Sequence, residues 1–187
     1  MTAYVLAAAT LRPDVPPPPG VDRAAYNDAL LADSYDLLDD LSGVTATVAA
    51  EGATLRAALE ALPAGATIGA VIAGDAPDLP GLLVGKLFGA CEDRLAGVLP
   101  SGDGRLVGFA VRLPVPAWVT FGIDDGLDAV HAAAPRGAVT VGPGWRRLAR
   151  PEDVSRLDPR LEGWPHTRAL LSGAPYSSGG ESASPWT

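Results

Sequence analysis

Short, unbroken apolar runs alternate along this chain with longer stretches whose apolar positions recur at helical spacing. Residues 3–9 (AYVLAAA) and 66–73 (ATIGAVIA) are continuous apolar runs, the pattern of strands buried on both faces. Residues 44–50 (VTATVAA) are β-branched and alternating, which predicts a third strand. Between the first run and this one, Tyr26, Leu30, Leu37, Leu38 and Leu41 mark a helix over 23–41, with Asp22 as its cap and Gly43 as its stop. Asp33, Asp36 and Asp40 share one face of that helix and read as a solvated stripe. Residues 52–62 and 80–93 read as two further helices, Pro80 being tolerated in a first turn. Residues 95–100 and 105–113 are strands joined by the tight turn SGDG. A helix over 124–133, a strand over 137–142 and a helical opening at PEDVSRL (151–157) complete the pattern.

Such strand–helix alternation predicts an α/β sandwich with a mostly parallel sheet, in one domain spanning 1–171. The proline-rich loop RPDVPPPPG (12–20) is neither helix nor central strand, because each proline fixes φ and removes a donor. Residues 172–187 have the composition of a disordered tail. Ligands of parallel sheets lie outside the carboxyl ends of the strands. Asp75 and Asp78, in GDAPDLP, follow directly on the most buried predicted strand.

Composition narrows the function. The formal net charge of −8 disfavours binding to phosphate backbones, so no nucleic-acid partner is expected. The charge is uneven, with seven arginines between Arg136 and Arg168. The single cysteine, Cys91, excludes an internal disulfide and a cysteine zinc site, reads as a buried structural thiol, and fits a reducing cytoplasm. No run reaches the ~18 apolar residues of a membrane helix, so no membrane partner is expected.

The two aspartates fit two chemistries. Carboxylates three residues apart on a loop after a strand suit a Mg²⁺ or Mn²⁺ ion that also holds substrate phosphates. Equally, Asp75 before Ala-Pro suits an Asx turn, and Asp78 suits the cap of the next helix. Asp103, between Gly102 and Gly104, is a turn residue or a second metal or sugar contact. His131 and His166 stand alone, His166 reading as a surface residue, and no GxSxG, GxxxxGK, GxGxxG or HExxH motif is present.

The stretch VIAGDAPDLPGLLVGKLFGACEDRLAGVLPSGDGRLVGF resembles the centre of a bacterial family of nucleotide-diphospho-sugar-transferase-like proteins. These are the radical-SAM/selenodomain-associated glycosyltransferases of the GT-A type. Asp75, Pro77, Asp78, Leu79 and Pro80 match its G-x-D-x-P-D-L-P motif, and Asp103 and Gly104 match part of its E-D-G-G-Y motif. The resemblance implies a GT-A-like three-layer α/β/α sandwich. It implies a metal ion, Mg²⁺ or Mn²⁺, on Asp75, Asp103 as the catalytic contact to sugar or acceptor, and a nucleotide-activated small-molecule donor bound with help from Thr10, Arg12, Asp78 and Gly104. The chain departs from the family at three places. AAATLRP (7–13) lacks the family's lysine-containing loop, the acid and the aromatic of E-D-G-G-Y are missing, and Arg147 and Ala149 stand where the family has aspartates. Arg146, Arg147 and Arg150 are then the candidate phosphate clamps.

Two functions follow. One is metal-dependent glycosyl or nucleotidyl transfer from a nucleotide-activated donor. The other is a catalytically degenerate binding or scaffold protein of the same fold, acting as a homodimer or with a protein partner. Arginines facing Asp75 across a cleft would favour the first; an Asp75 turned away from any cleft would favour neither.

Overall fold

The computed structural model describes residues 4–157, 160 and 163–173; the predicted tail from residue 174 onward lies outside them. Six strands form one sheet: β1 (Leu6–Leu11), β2 (Val44–Val48), β3 (Ile68–Ala73), β4 (Ala96–Pro100), β5 (Leu106–Arg112) and β6 (Val139–Val141). The sheet order is β2-β1-β3-β5-β4-β6. β1 runs parallel to both β2 and β3, with Leu6 opposite Val44 and Ile68. β5 is the reversed strand, antiparallel to β3 and β4, because SGDG turns the chain straight back on itself; β6 then returns parallel to β4.

The alternation of the buried strands divides the core into two layers. Ala8, Ala70 and Ile72 face α1 (Arg23–Asp39) and α3 (Gly81–Asp93). Ala7, Ala9, Val71 and Phe109 face α2 (Leu55–Glu60) and α4 (Gly126–Ala133). The result is a three-layer α/β/α sandwich with a mostly parallel sheet. Cys91 lies buried in α3, and burial pushes its thiol up to about 12, in keeping with a structural role.

Helix ends follow from local chemistry. Asp22 caps α1 by accepting from the Ala25 N–H at 2.9 Å, and Thr54 caps α2 by accepting from Ala57 at 3.1 Å. α2 is shorter than the 52–62 span read from its pattern, since Thr54 fixes its start. PEDVSRL forms a 3-10 turn, Pro151–Arg156, rather than the start of an α-helix.

A further helix, α5 (Pro165–Leu171), was not evident in the sequence. It is capped from a distance. Asp33 Oδ1 accepts from the His166 N–H at 2.9 Å, and Asp33 Oδ2 from the Thr167 N–H at 2.8 Å. His166 Nε2 lies 2.9 Å from Asp36 Oδ2. The acidic stripe of α1 is therefore solvated only in part: Asp36 and Asp40 are exposed, but Asp33 is 1% exposed and docks α5. Burial, outweighing the hydrogen bonds it accepts, raises the Asp33 carboxyl above the usual range. Tyr26, Leu30, Leu148, Leu157 and Trp164 form a third apolar cluster that fastens this C-terminal part to α1.

Candidate functional site

β1, β2 and β3 all point their carboxyl ends the same way. From β1 the chain passes by α1 to β2, toward one edge of the sheet, and from β3 by α3 to β4, toward the other edge, so the strand order reverses between β1 and β3. The crevice between these two strand ends is the topological switch point of the sheet. It is lined by Leu11–Asp14 after β1, Gly74 and Asp75 after β3, Gly52–Leu55 before and into α2, Arg105, Gly122–Asp125 and Arg147, and encloses about 480 Å³. Gly74 permits this closeness. A Cβ there would collide with the Leu11 carbonyl oxygen and lie 2.9 Å from Pro13 Cδ.

Asp75 faces the cleft and is held by arginine. The Arg147 guanidinium forks onto it, Nε donating to Oδ1 at 2.7 Å and Nη2 to Oδ2 at 2.9 Å. Arg147 Nη1 donates to Asp124 Oδ1 at 2.7 Å and to the Leu106 carbonyl at 3.0 Å. Burial alone would lower the Arg147 pKa, but its bonds to Asp75 and the charges of Asp75 and Asp124 outweigh that and raise it. Arg105 bridges the rim, with Nη1 3.5 Å from Asp75 Oδ2 and Nη2 2.7 Å from Asp103 Oδ2. Behind the site the buried Tyr26 phenol is pushed up to about 12, by burial first and then by the charges of Asp153 and Asp75.

Asp78 has a different role. Its side chain is 0% exposed, is absent from the cleft lining, and accepts from Trp145 Nε1 at 3.0 Å and from Arg146 Nε at 2.8 Å. Arg146 Nη2 reaches the same oxygen. α3 starts at Pro80 without any side-chain cap, so Asp78 does not cap it. Consecutive residues of one strap, Trp145 to Leu148, thus grip both aspartates. The strap is fixed at both ends by main-chain bonds, Trp145 N–H to the Pro100 carbonyl at 3.0 Å and Leu148 N–H to the Asp75 carbonyl at 2.8 Å.

The other sequence candidates separate. Arg12 lines the cleft, and its buried Nε has no hydrogen-bond partner. Thr10 is 0% exposed within the sheet and is not among the lining residues. Asp103 and Gly104 form the exposed turn beside the cleft rather than its wall. Burial raises the Asp103 carboxyl, but hydrogen bonds from Arg105 and Ser101 and the Arg105 charge outweigh it, leaving Asp103 at about 2. Gly104 sits at φ +91°, and its carbonyl oxygen occupies the space a Cβ at Gly126 would need. Asp124 escaped the sequence reading; its only signal was the acidic pair opening a predicted helix. Arg150 stands at the N-cap position of the 3-10 turn without a side-chain cap bond, and Asp153 accepts from the Ala149 and Arg150 N–H groups at 2.9 Å.

A divalent cation at Asp75 does not fit these residues. Both Asp75 oxygens already accept from a guanidinium, and Arg105 adds a second positive charge beside them. Among the described residues no group of three or more His, Cys, Asp or Glu side chains is placed to hold a metal ion. No described helix is long and apolar enough to cross a membrane.

No family model matches the sequence, and no curated protein matches it. Solved structures do. A "putative nucleotide-diphospho-sugar transferase" from Desulfovibrio desulfuricans G20 superposes with a TM-score of 0.56 at 14% identity, covering 92% of this chain and 99% of that one. The 4-diphosphocytidyl-2C-methyl-D-erythritol synthase of Anaerococcus prevotii DSM 20548 gives 0.50 at 12% identity, over 82% and 96%. Rv0371C of Mycobacterium tuberculosis H37Rv, solved as a complex with manganese, gives 0.50 at 19% identity, over 91% and 100%. At these identities the likeness carries the fold and nothing finer: the chain has a GT-A-like three-layer α/β/α architecture in common with these structures.

Proposed function

We propose that this chain takes a nucleotide-activated donor in the cleft between β1 and β3 and acts in glycosyl or nucleotidyl transfer. The observation that carries the reading is the set of arginines, Arg12, Arg105 and Arg147, lining one cleft with Asp75 at the switch point of the sheet. Arg12 is the strongest element. It lines the cleft and belongs to no ion pair among the described residues, and a guanidinium so placed suits a phosphate oxygen. Arg105, held by Asp103, supplies a second phosphate-facing cation at the rim. Developing charge on a leaving phosphate is stabilised by such preorganised donors. Asp103 is then the group nearest an acceptor entering over the SGDG turn. Asp75, with both oxygens engaged by Arg147, is not open to Mg²⁺ or Mn²⁺. A cytoplasmic location fits the donor class and the single buried cysteine.

A second reading, a binding or partner protein without turnover, is favoured by one feature: Asp75 is committed to Arg147. Calorimetric titration of UDP, GDP and their sugar conjugates into the wild type and Arg12→Ala tests the first reading, with released nucleotide assayed in parallel. We expect binding that weakens about tenfold in Arg12→Ala. Folded wild-type protein that binds none of these nucleotides refutes it. Binding without turnover against a panel of acceptors selects the second reading.

A further inference from the structure

We infer that the Arg147 guanidinium occupies the place of a divalent cation, so that this cleft handles its anionic ligand without a metal ion. The ligand half of this statement rests on the proposed function; the cation half does not. Arg147 gathers the oxygens a hard cation would gather. It collects both oxygens of Asp75 from the loop after β3, one of Asp124 from the loop before α4, and the Leu106 carbonyl at the start of β5. Four of the five guanidinium N–H groups are thereby committed, and the fifth, on Nη2, remains to a residue that lines the cleft.

Three features make this a fixed arrangement rather than a surface ion pair. The Arg147 side chain is 6% exposed and that of Asp75 7%. The fork is bidentate, which sets orientation as well as charge. Finally, Arg147 sits on a strap whose next residue, Leu148, bonds the Asp75 main chain. A metal ion entering at Asp75 would have to expel this guanidinium and would then lie beside Arg105, which stands 3.5 Å from Asp75 and 3.8 Å from Asp124. The exchange trades a positive group already bonded to four acceptors for a hydrated ion facing a like charge.

The inference has a direct consequence. Arg147→Met leaves the same oxygens without their cation, and Mn²⁺ becomes able to bind there. The test is a titration of MnCl₂, with no nucleotide present, into the wild type, Arg147→Met and the neutral pair Asp75→Asn/Arg147→Met, read by calorimetry and by thermal shift. We expect no Mn²⁺ response in the wild type, a response at least about tenfold stronger in Arg147→Met, and its loss in the double variant. Circular dichroism establishes that each variant folds, and Asp75→Asn, titrated in parallel, is the control for the wild-type arm. A wild-type response abolished by Asp75→Asn overturns the inference. Silence in both the wild type and a folded Arg147→Met also overturns it, since Arg147 would then be only a strut. Nucleotide binding by the wild type, measured in EDTA and in Mn²⁺, is expected to be equal. Absence of nucleotide binding under both conditions refutes the proposed function and leaves the cation question to the Mn²⁺ arms.

Discussion

Replacing Asp78 by asparagine tests whether the strap is held as the structure describes. The Asp78 side chain is 0% exposed, whereas that of Arg146 keeps 33% of its area in solvent. The amide can still accept from Trp145 Nε1, so that bond survives on one oxygen. What is lost is the charge on Oδ2 and both of its contacts with Arg146, where an NH₂ group would now confront a guanidinium. A hydrogen bond to a charged group contributes about 1.5–3 kcal/mol, and breaking a fully buried pair costs about 3–5 kcal/mol. Because Arg146 can turn its exposed third to water, the expected loss lies at the lower end, about 2–3 kcal/mol. Urea denaturation followed by tryptophan fluorescence measures it, with m unchanged and the midpoint lowered. Arg146→Met completes a double-mutant cycle, with an expected coupling of about 1–2 kcal/mol. The amides of Trp145 and Leu148, which fasten the strap, should also exchange faster in Asp78→Asn. An Asp78→Asn protein within about 0.5 kcal/mol of the wild type, the range of ordinary surface changes, would refute the clasp.

Two further outcomes are expected. Gly74→Ala forces a methyl group against the Leu11 carbonyl oxygen and to 2.9 Å from Pro13 Cδ, so the ends of β1 and β3 must part; circular dichroism and thermal unfolding should show a protein that melts markedly lower, and an unchanged Tm would contradict the close approach. The Asp103 carboxyl titrates at about 2 when folded, below its ordinary 3.8, so its contribution is complete above the unfolded value and is lost as pH falls from about 4 toward 2. Thermal unfolding against pH should therefore fall less steeply over that window in Asp103→Asn than in the wild type, the difference being small because the side chain is 41% exposed. Identical slopes would mean that Arg105 does not hold Asp103.

The elements were legible where local chemistry decides them. β3 is an unbroken apolar run and is buried at every position. The SGDG turn announced the reversal that makes β5 antiparallel. Asp75 was legible as a site candidate because it follows a strand whose parallel course the alternation predicted, whereas Arg12 was indicated only by the resemblance; both line the cleft. α5 was not legible. It spans seven residues, and the carboxylate that caps it, Asp33, lies 133 residues from His166 along the chain. Helix signals act over three or four residues, so a cap supplied by tertiary contact leaves no local trace.

The same limit explains why GDAPD posed a choice that neither of its readings answered. A carboxylate on a loop announces only that something positive or an N–H group will meet it. Turn, cap and metal are the partners available nearby or from solvent. The actual partners are Arg147 and Arg146, 72 and 68 residues further on, brought in by the strap after β6. Adjacent residues reach two separate aspartates because both belong to one extended segment crossing the end of β3. The resemblance had drawn attention to Arg147 as a departure from an acidic position, and charge explains why that departure need not empty the site. Removing Asp75 leaves the buried Arg147 only the exposed Asp124 and the Leu106 carbonyl, and removing Arg147 leaves the buried Asp75 only Arg105 at 3.5 Å, so either change strands much of a buried charge. On that argument either single charge-removing change at this pair should destabilise the fold more than the neutral double change, which keeps no buried charge to strand.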